Sequence, residues 1–306
     1  MLRHLTVIND LTADEATQVL REAGAMKARL KAGAVETPLV NQTLAMIFEK
    51  PSTRTRVSFE VGMTQLGGHA ICLKPDEIGI GTREDVRDVA RVLSRYAEII
   101  MARTFAHQTV TDLAKYATVP VINGLSDYEH PCQALGDLLT IVEHFGDVGG
   151  KRLVFVGDGN NVARSLAWLC AKLGAAFRLV SPAAHHLPKA DFAAIREAVP
   201  AAELDQTNDL AGVADADVIY TDVWASMGQE AEKEKRRKEF APYQVNAALV
   251  KRAKPGAKVM HCLPAHRGEE LTDEVIDGPQ SIVYDQAENR LHAQKAVMLF
   301  LLAARA

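Results

Sequence analysis

Leu44-Ala45-Met46-Ile47-Phe48-Glu49-Lys50-Pro51-Ser52-Thr53-Arg54-Thr55-Arg56 is the stretch from which the fold can be read. Its first five residues are a short unbroken apolar run, as a parallel strand buried on both faces requires. After it Val57, Val61, Gln65 and Leu66 recur at helical spacing until Gly67-Gly68 stop the pattern. The hydroxyls and guanidiniums between strand and helix therefore open the helix. Backbone N–H groups left free in a first turn point at any anion there, Ser and Thr add short donors, and the forks of Arg54 and Arg56 fit phosphate oxygens. An isolated Ser-Thr pair would be read as a helix cap beside solvated arginines. Two arginines set among three hydroxyls favour an anion cradle, with a phosphate as its expected occupant.

Outward from this stretch the same alternation continues. Thr12-Ala13-Asp14-Glu15 has the form of a capping box, opening a helix that carries Val19, Leu20, Met26 and Leu30 inward until Gly33. Downstream, 69–73 reads as a strand, 74–83 as a mobile loop with Pro75, Gly79 and Gly81, and 85–96 as a helix with Val86, Val89, Val92 and Leu93 on one face. A strand over 98–103 ends on Arg103, and open α/β sheets place ligands at strand carboxyl ends. A helix over 109–117 and a strand over 119–122 lead to His130-Pro131-Cys132-Gln133, where Pro131 suits a first helical turn and puts His130 and Gln133 at the helix mouth. An imidazole and a carboxamide there can donate to a carbonyl oxygen and accept from an amide nitrogen.

The helix over 131–145 runs to Gly146–Lys151, whose Gly149-Gly150 marks a domain boundary. A second α/β unit follows: strand 152–156, the turn Gly157-Asp158-Gly159-Asn160-Asn161, then a stripe of Val162, Leu166, Leu169 and Leu173. The turn invites a dinucleotide reading, but Val162 stands where the third glycine belongs, and the strand over 177–180 ends in Ser181-Pro182, not an acid. A strand from Asp217 ends in Asp222-Val223-Trp224-Ala225-Ser226-Met227-Gly228, where a carboxylate can hold a cationic substrate. The mixed charges of 230–239 read as a solvated helix, 258–261 as a strand running into His261-Cys262-Leu263-Pro264, and 281–284 as a last strand before a terminal helix.

The chain's 306 residues, 48% hydrophobic and 24% charged, exclude a disordered chain and suit two domains. Lys and Arg total 35 against 39 acids, so no basic field points to nucleic acid or an anionic membrane surface. No apolar run approaches the roughly 20 residues of a membrane span, and the start lacks a signal-peptide core, so a cytoplasmic location is expected. The four cysteines lack paired spacing and read as free thiols, Cys170 as core filler; a zinc site from His130, Cys132, His261 and Cys262 fits no structural zinc pattern, and no metal or cofactor is expected.

Ser52-Thr53-Arg54-Thr55-Arg56 resembles the carbamoyl-phosphate motif of the aspartate and ornithine carbamoyltransferases, and His130-Pro131-Cys132-Gln133 is similar to the family's second motif. Asp222 to Gly228 and His261-Cys262-Leu263-Pro264 resemble the ornithine branch; an acid at 222 would repel a dicarboxylate such as aspartate. The resemblance implies two doubly wound α/β domains, each a mostly parallel sheet flanked by helices, linked by two interdomain helices. It places carbamoyl phosphate on 1–145, with the C-terminal helix 286–306 packed back on it, and ornithine on 146–285. Ser52, Thr53, Arg54, Thr55, Arg103, His130, Gln133, Cys262, Leu263 and Arg290 are then implied as carbamoyl-phosphate ligands, and Asn161, Asp222, Ser226 and Met227 as ornithine ligands. Asp222, Cys262, His130 and Arg290 would act in catalysis. Carbamoyl transfer from carbamoyl phosphate to L-ornithine by a homotrimer, or a multiple of trimers, is the implied activity. A related amine, N-acetylornithine or putrescine, stays open as substrate, a nucleotide-dependent dehydrogenase or a noncatalytic amino-acid sensor is a rival of another class, and Gly79 stands where ornithine enzymes often carry Gln.

Overall fold

The structure, a computed structural model, describes residues 2–80, 83–225 and 230–304. In chain order the helices are α1 (Ala13–Lys31), α2 (Thr53–Gln65), α3 (Pro75–Ile78), α4 (Val86–Leu93), α5 (His107–Tyr116), α6 (Pro131–Phe145), α7 (Asn161–Lys172), α8 (Lys189–Ala198), α9 (Lys233–Phe240), α10 (Ala247–Val250), α11 (Asp273–Ile276) and α12 (Val283–Ala303). The chain divides into two compact units, Met1–Leu139 with Glu288–Ala306, and Thr140–Ala287. Both divisions fall inside a helix, α6 and α12, so each of these helices begins in one unit and ends in the other.

In the first unit β1 (Thr43–Phe48), β2 (His69–Leu73), β3 (Ile99–Arg103) and β4 (Val121–Leu125) pair in parallel in the order β2-β1-β3-β4. The expected buried run is there: Leu44, Met46 and Ile47 have no solvent exposure. The chain leaves β1 toward β2 on one side and returns to β3 on the other, so the carboxyl ends of β1 and β3 border the crevice where the winding reverses. In register, Phe48 lies beside Arg103. Thr12 caps α1 as a capping box, its hydroxyl accepting from Glu15 N at 3.2 Å while Glu15 Oε2 accepts from Thr12 N at 2.9 Å. Val19, Leu20 and Met26 are buried, whereas Leu30, near the helix end, is exposed.

In the second unit β5 (Arg152–Val156), β6 (Ala176–Val180), β7 (Leu204–Thr207), β8 (Val218–Thr221) and β9 (Lys258–His261) form a parallel sheet in the order β7-β6-β5-β8-β9. Here the winding reverses between β5 and β8, and the loops after β5, β8 and β9 carry Asn160, Asp222 and Cys262. The core on one face joins Val154, Val156, Ile219 and Val259 to Leu249, Leu271 and Ile276.

Three expectations need correction. Val57 and Val61 share helical spacing but face solvent; the buried face of α2 is Thr55, Phe59, Gly62 and Met63. Gly62 permits close packing of α12, since an added Cβ would lie 3.2 Å from Lys295 Cγ. The segment 74–83 is not all loop: Pro75–Ile78 make one helical turn ended by Gly79 at φ +56°, a left-handed conformation that glycine takes without the Cβ clash a glutamine would meet. The last strand, 281–284, is a single bridge between Ser281 and Val259. Val259 uses its N–H on Gln280 O and its carbonyl on Ile282 N, and α12 takes the chain from Val283, with Asp285 in its first turn where the helix dipole favours an acid.

The glycine turn after β5 packs on its own chain. A Cβ on Gly159 would lie 2.6 Å from His185 O and 2.7 Å from Leu187 N, and Gly159 N donates to His185 O at 2.9 Å. Gly159→Ala should therefore destabilise the fold by about 1–3 kcal/mol, seen as a lower urea midpoint with an unchanged slope. An unchanged midpoint would mean that the 185–187 backbone yields without cost.

Candidate active site

Within the first unit, the N-terminus of α2 and the end of β3 converge on one hydroxyl. Ser52 caps α2, its Oγ accepting from Thr55 N at 3.3 Å and donating to Thr55 Oγ1 at 3.1 Å. The same Thr55 Oγ1, wholly buried, accepts from Arg290 Nη2 at 2.8 Å and, at the 3.5 Å limit, from Arg103 Nη1. Two guanidiniums, 6% and 3% exposed, are thus held side by side at the mouth of a helix. Arg54 is half-buried in the first turn and Thr53 is exposed beside it. Arg56, expected to share the cradle, points away: its Nε donates to Glu60 Oε1 at 2.8 Å, an exposed i,i+4 pair.

The turn before α6 delivers His130 to this cluster. Asn123, fully buried, donates through Nδ2 to Thr6 O and Glu129 O, and Glu129 N donates to Ser126 Oγ, which pins the chain up to Glu129. Burial holds the His130 imidazole well below its usual range, and the charges of Arg290 and Arg103 push the same way, so the ring is neutral and can offer one N–H and one lone pair. Gln133, one turn into α6, gives its Nε2 hydrogen to Asp137 Oδ1 at 2.8 Å. Cys132 is packing: its thiol donates weakly to Asn123 O, and burial pushes it up to about 12.

Within the second unit the acid and the thiol meet. Cys262 Sγ donates to Asp222 Oδ1 at 2.9 Å, and Asn160 Nδ2 donates to Asp222 Oδ2 at 2.8 Å. Asn160 also caps α7, accepting from Val162 N and Ala163 N, so one side chain ties the helix mouth to the carboxylate. Sequence reasoning named its neighbour Asn161, which starts α7 and is partly buried; the Asp222 contact belongs to Asn160. Leu263 sits at φ +58°, its N–H donating to His261 Nδ1 at 2.8 Å. Ser226 and Met227 lie outside the described residues.

Ligand atoms of Asp222, His261 and Cys262 lie within 4.8 Å of one another, a donor set a metal ion could use. His261, however, has both ring nitrogens engaged, Nδ1 by Leu263 N and Nε2 by Glu270 Oε1 at 2.9 Å, with both side chains fully buried. With Nε2–H on Glu270, the nitrogen left for a metal is Nδ1, which would first have to give up the Leu263 N–H.

The charged helix α9 is not wholly solvated. Arg236 is buried, and its Nη1 donates to Asp158 Oδ2 at 2.9 Å and to Trp224 O at 3.0 Å. It thereby ties the glycine turn to the segment that follows Asp222. Burial pushes the Asp158 carboxyl up, against the opposing pull of Arg236. Phe240, four residues on and fully buried, was the signal that this face packs inward.

Two family models match, the carbamoyl-P binding domain of aspartate/ornithine carbamoyltransferase over residues 3–143 and its Asp/Orn binding domain over 149–301. The chain belongs to the aspartate/ornithine carbamoyltransferase family. It is similar to the anabolic ornithine carbamoyltransferase of Pyrococcus furiosus, 54% identical over 303 residues, covering 98% of this chain and 96% of the relative. A solved structure of ornithine carbamoyltransferase from Pyrococcus furiosus superposes with a TM-score of 0.95, covering 98% and 97% of the two chains. A structure of a mutant N-acetyl-L-ornithine transcarbamylase complexed with PALAO is less alike, at 32% identity over 97% and 99% with a TM-score of 0.86. As a carbamoyltransferase the chain carries two α/β units, as expected. Its C-terminal helix, although inside the match to the Asp/Orn binding domain, packs from Glu288 onward in the first unit.

Neutral His130 makes a pH prediction. Its folded pKa lies below the unfolded value near 6.5, so as pH falls through 6.5 the unfolded chain takes a proton that the folded chain refuses, and stability declines. In an imidazole NMR titration His130 should stay neutral at pH 6. His130→Asn should lose part of the stability decline below pH 6.5; titration of His130 near 6.5 would contradict the burial argument.

Proposed function

We propose that this chain transfers the carbamoyl group of carbamoyl phosphate to the δ-amine of L-ornithine, giving L-citrulline and phosphate, in arginine biosynthesis. One observation carries the choice of amine: the acid of Asp222, bonded to Cys262 and Asn160 in the half matching the Asp/Orn binding domain, favours a cationic side chain over a second carboxylate. In this reading Ser52, Thr53, Arg54, Thr55 and Arg103 receive the phosphate, and Gln133, Cys262 and Leu263 line the carbamoyl group. His130 and Arg290 donate to the oxygen that becomes negative in the tetrahedral intermediate. Asn161, Ser226 and Met227 hold the amino-acid end of ornithine.

The reaction forms one C–N bond, breaks one C–O bond to the phosphate, and releases one proton from the amine. A free alkyl ammonium has a pKa near 10.4, so presenting the neutral amine at pH 7 costs about 4–5 kcal/mol. Asp222 and Cys262 orient that nitrogen, while the guanidiniums lower the barrier at the other end by meeting the leaving phosphate. We place the enzyme in the cytoplasm as a homotrimer or a multiple of trimers, on family resemblance; among the described residues no helix is long and apolar enough to cross a membrane.

The deciding assay is citrulline formation from carbamoyl phosphate and ornithine, with N-acetylornithine, putrescine and aspartate as competing amines. Preference for any of these would replace the reading. Arg54→Ala should raise the carbamoyl-phosphate KM by about 100-fold, the loss expected of a charge-assisted contact of about 3 kcal/mol, with the melting temperature nearly unchanged; unaltered kinetics would remove the phosphate cradle. Cys262→Ala should harm ornithine use more than carbamoyl-phosphate binding, and equal losses would reject its place beside the amine.

A further inference from the structure

Gln133 and Asp137 lie one turn apart on α6, 1% and 0% exposed, joined by the 2.8 Å contact between Gln133 Nε2 and Asp137 Oδ1. Gln133 Nε2 is the donor in that contact, so the end of the Gln133 amide that meets Asp137 is the NH2 group. Which end of a carboxamide faces which way is assigned from its neighbours, and Asp137 is the neighbour that takes the NH2 group. The amide oxygen is then the end presented elsewhere, and among the described residues none donates to it. Between the pair in sequence, Gly136 brings α6 against α12: an added Cβ would lie 3.2 Å from both Arg290 N and Arg290 Cα. The pair is therefore mounted where two helices touch backbone to backbone, next to the residue that reaches Thr55.

We propose that Asp137 is a positioning residue that fixes Gln133 with its carbonyl oxygen toward the substrate, so that the site selects an acyl phosphate bearing an N–H donor. The inference rests on the proposed function, which brings the carbamoyl group to Gln133. Carbamoyl phosphate carries an NH2 group where acetyl phosphate carries a methyl. An oxygen acceptor rewards the first and is left without a donor by the second, whereas a freely flipping amide would reward neither consistently. Asp137 thus acts on selectivity through Gln133, without touching substrate.

The test compares dissociation constants of carbamoyl phosphate, acetyl phosphate and inorganic phosphate for the wild type, Asp137→Asn, Gln133→Met and the double variant. An Asn at 137 can face Gln133 with either end of its amide, so orientation is no longer dictated. The preference for carbamoyl over acetyl phosphate should fall about ten-fold in Asp137→Asn, as expected for one misdirected buried hydrogen bond, with inorganic phosphate affinity unchanged. In the Gln133→Met background Asp137→Asn should add no further loss. An unchanged preference, an equal loss for all three ligands, or a full effect in the Gln133→Met background would each overturn the proposal. Should Asp137→Asn fail to fold, neutron diffraction of the wild type with carbamoyl phosphate decides: deuterons of Gln133 Nε2 aimed at Asp137 support it, and aimed at the ligand they refute it. A wild type that makes no citrulline would instead defeat the functional reading itself.

Discussion

Much of the first unit depends on one hydroxyl, Thr55 Oγ1, which accepts from two guanidiniums at once. Like charges brought together out of water repel, and the repulsion grows as the local dielectric falls. The chain nonetheless builds that arrangement from three separated segments: α2 supplies the hydroxyl, β3 supplies Arg103, and α12 supplies Arg290 from the far end of the sequence. A concentration of positive charge at a helix mouth is what a doubly charged phosphate relieves. Burial keeps His130 neutral and the two guanidiniums push the same way, so the imidazole remains a hydrogen-bonding group and does not become a third cation.

The two sheets place their chemistry by the same rule. In each, the winding reverses beside the first strand of its unit, between β1 and β3 and between β5 and β8, and neighbouring strands send their following loops to opposite sides. The crevice left at the carboxyl ends collects polar residues from segments distant in sequence. Arg103 stands beside Phe48 in one sheet; in the other, Asn160 after β5 reaches Asp222 after β8, and Cys262 after β9 reaches the same carboxylate. Parallel pairing makes such a collection possible, because all strands end on one edge.

The local parts of this plan were legible in the sequence. Apolar runs gave the strands, glycines gave the helix ends, and the Ser-Thr-Arg-Thr motif gave the helix mouth, since each depends on neighbours within a few residues. What escaped depends on partners far along the chain. Arg236 looked like one of several solvated cations until Asp158 and the Trp224 carbonyl were found against it. Asn160 drew no notice because its link to Asp222 spans 62 residues of sequence. Val57 and Val61 had the right period and the wrong face, as α12 covers the other side of α2. Residues 281–284 have strand composition, but β9 offers them one bridge and the helix takes the rest.

The chain enters the second unit through α6 and leaves it through α12, so both of its ends belong to the first. The middle, Thr140–Ala287, is a continuous insertion, while the first unit is assembled from two pieces separated by that whole length. During synthesis the inserted unit can close as soon as its own residues emerge, but its host must wait for the final helix, which brings Ala293, Val297, Met298 and Leu301 into burial as well as Arg290. A ribosome stalled before Glu288 would therefore leave a nascent product with all the residues of one unit and only part of the other, lacking one of the two cations of its anion cradle.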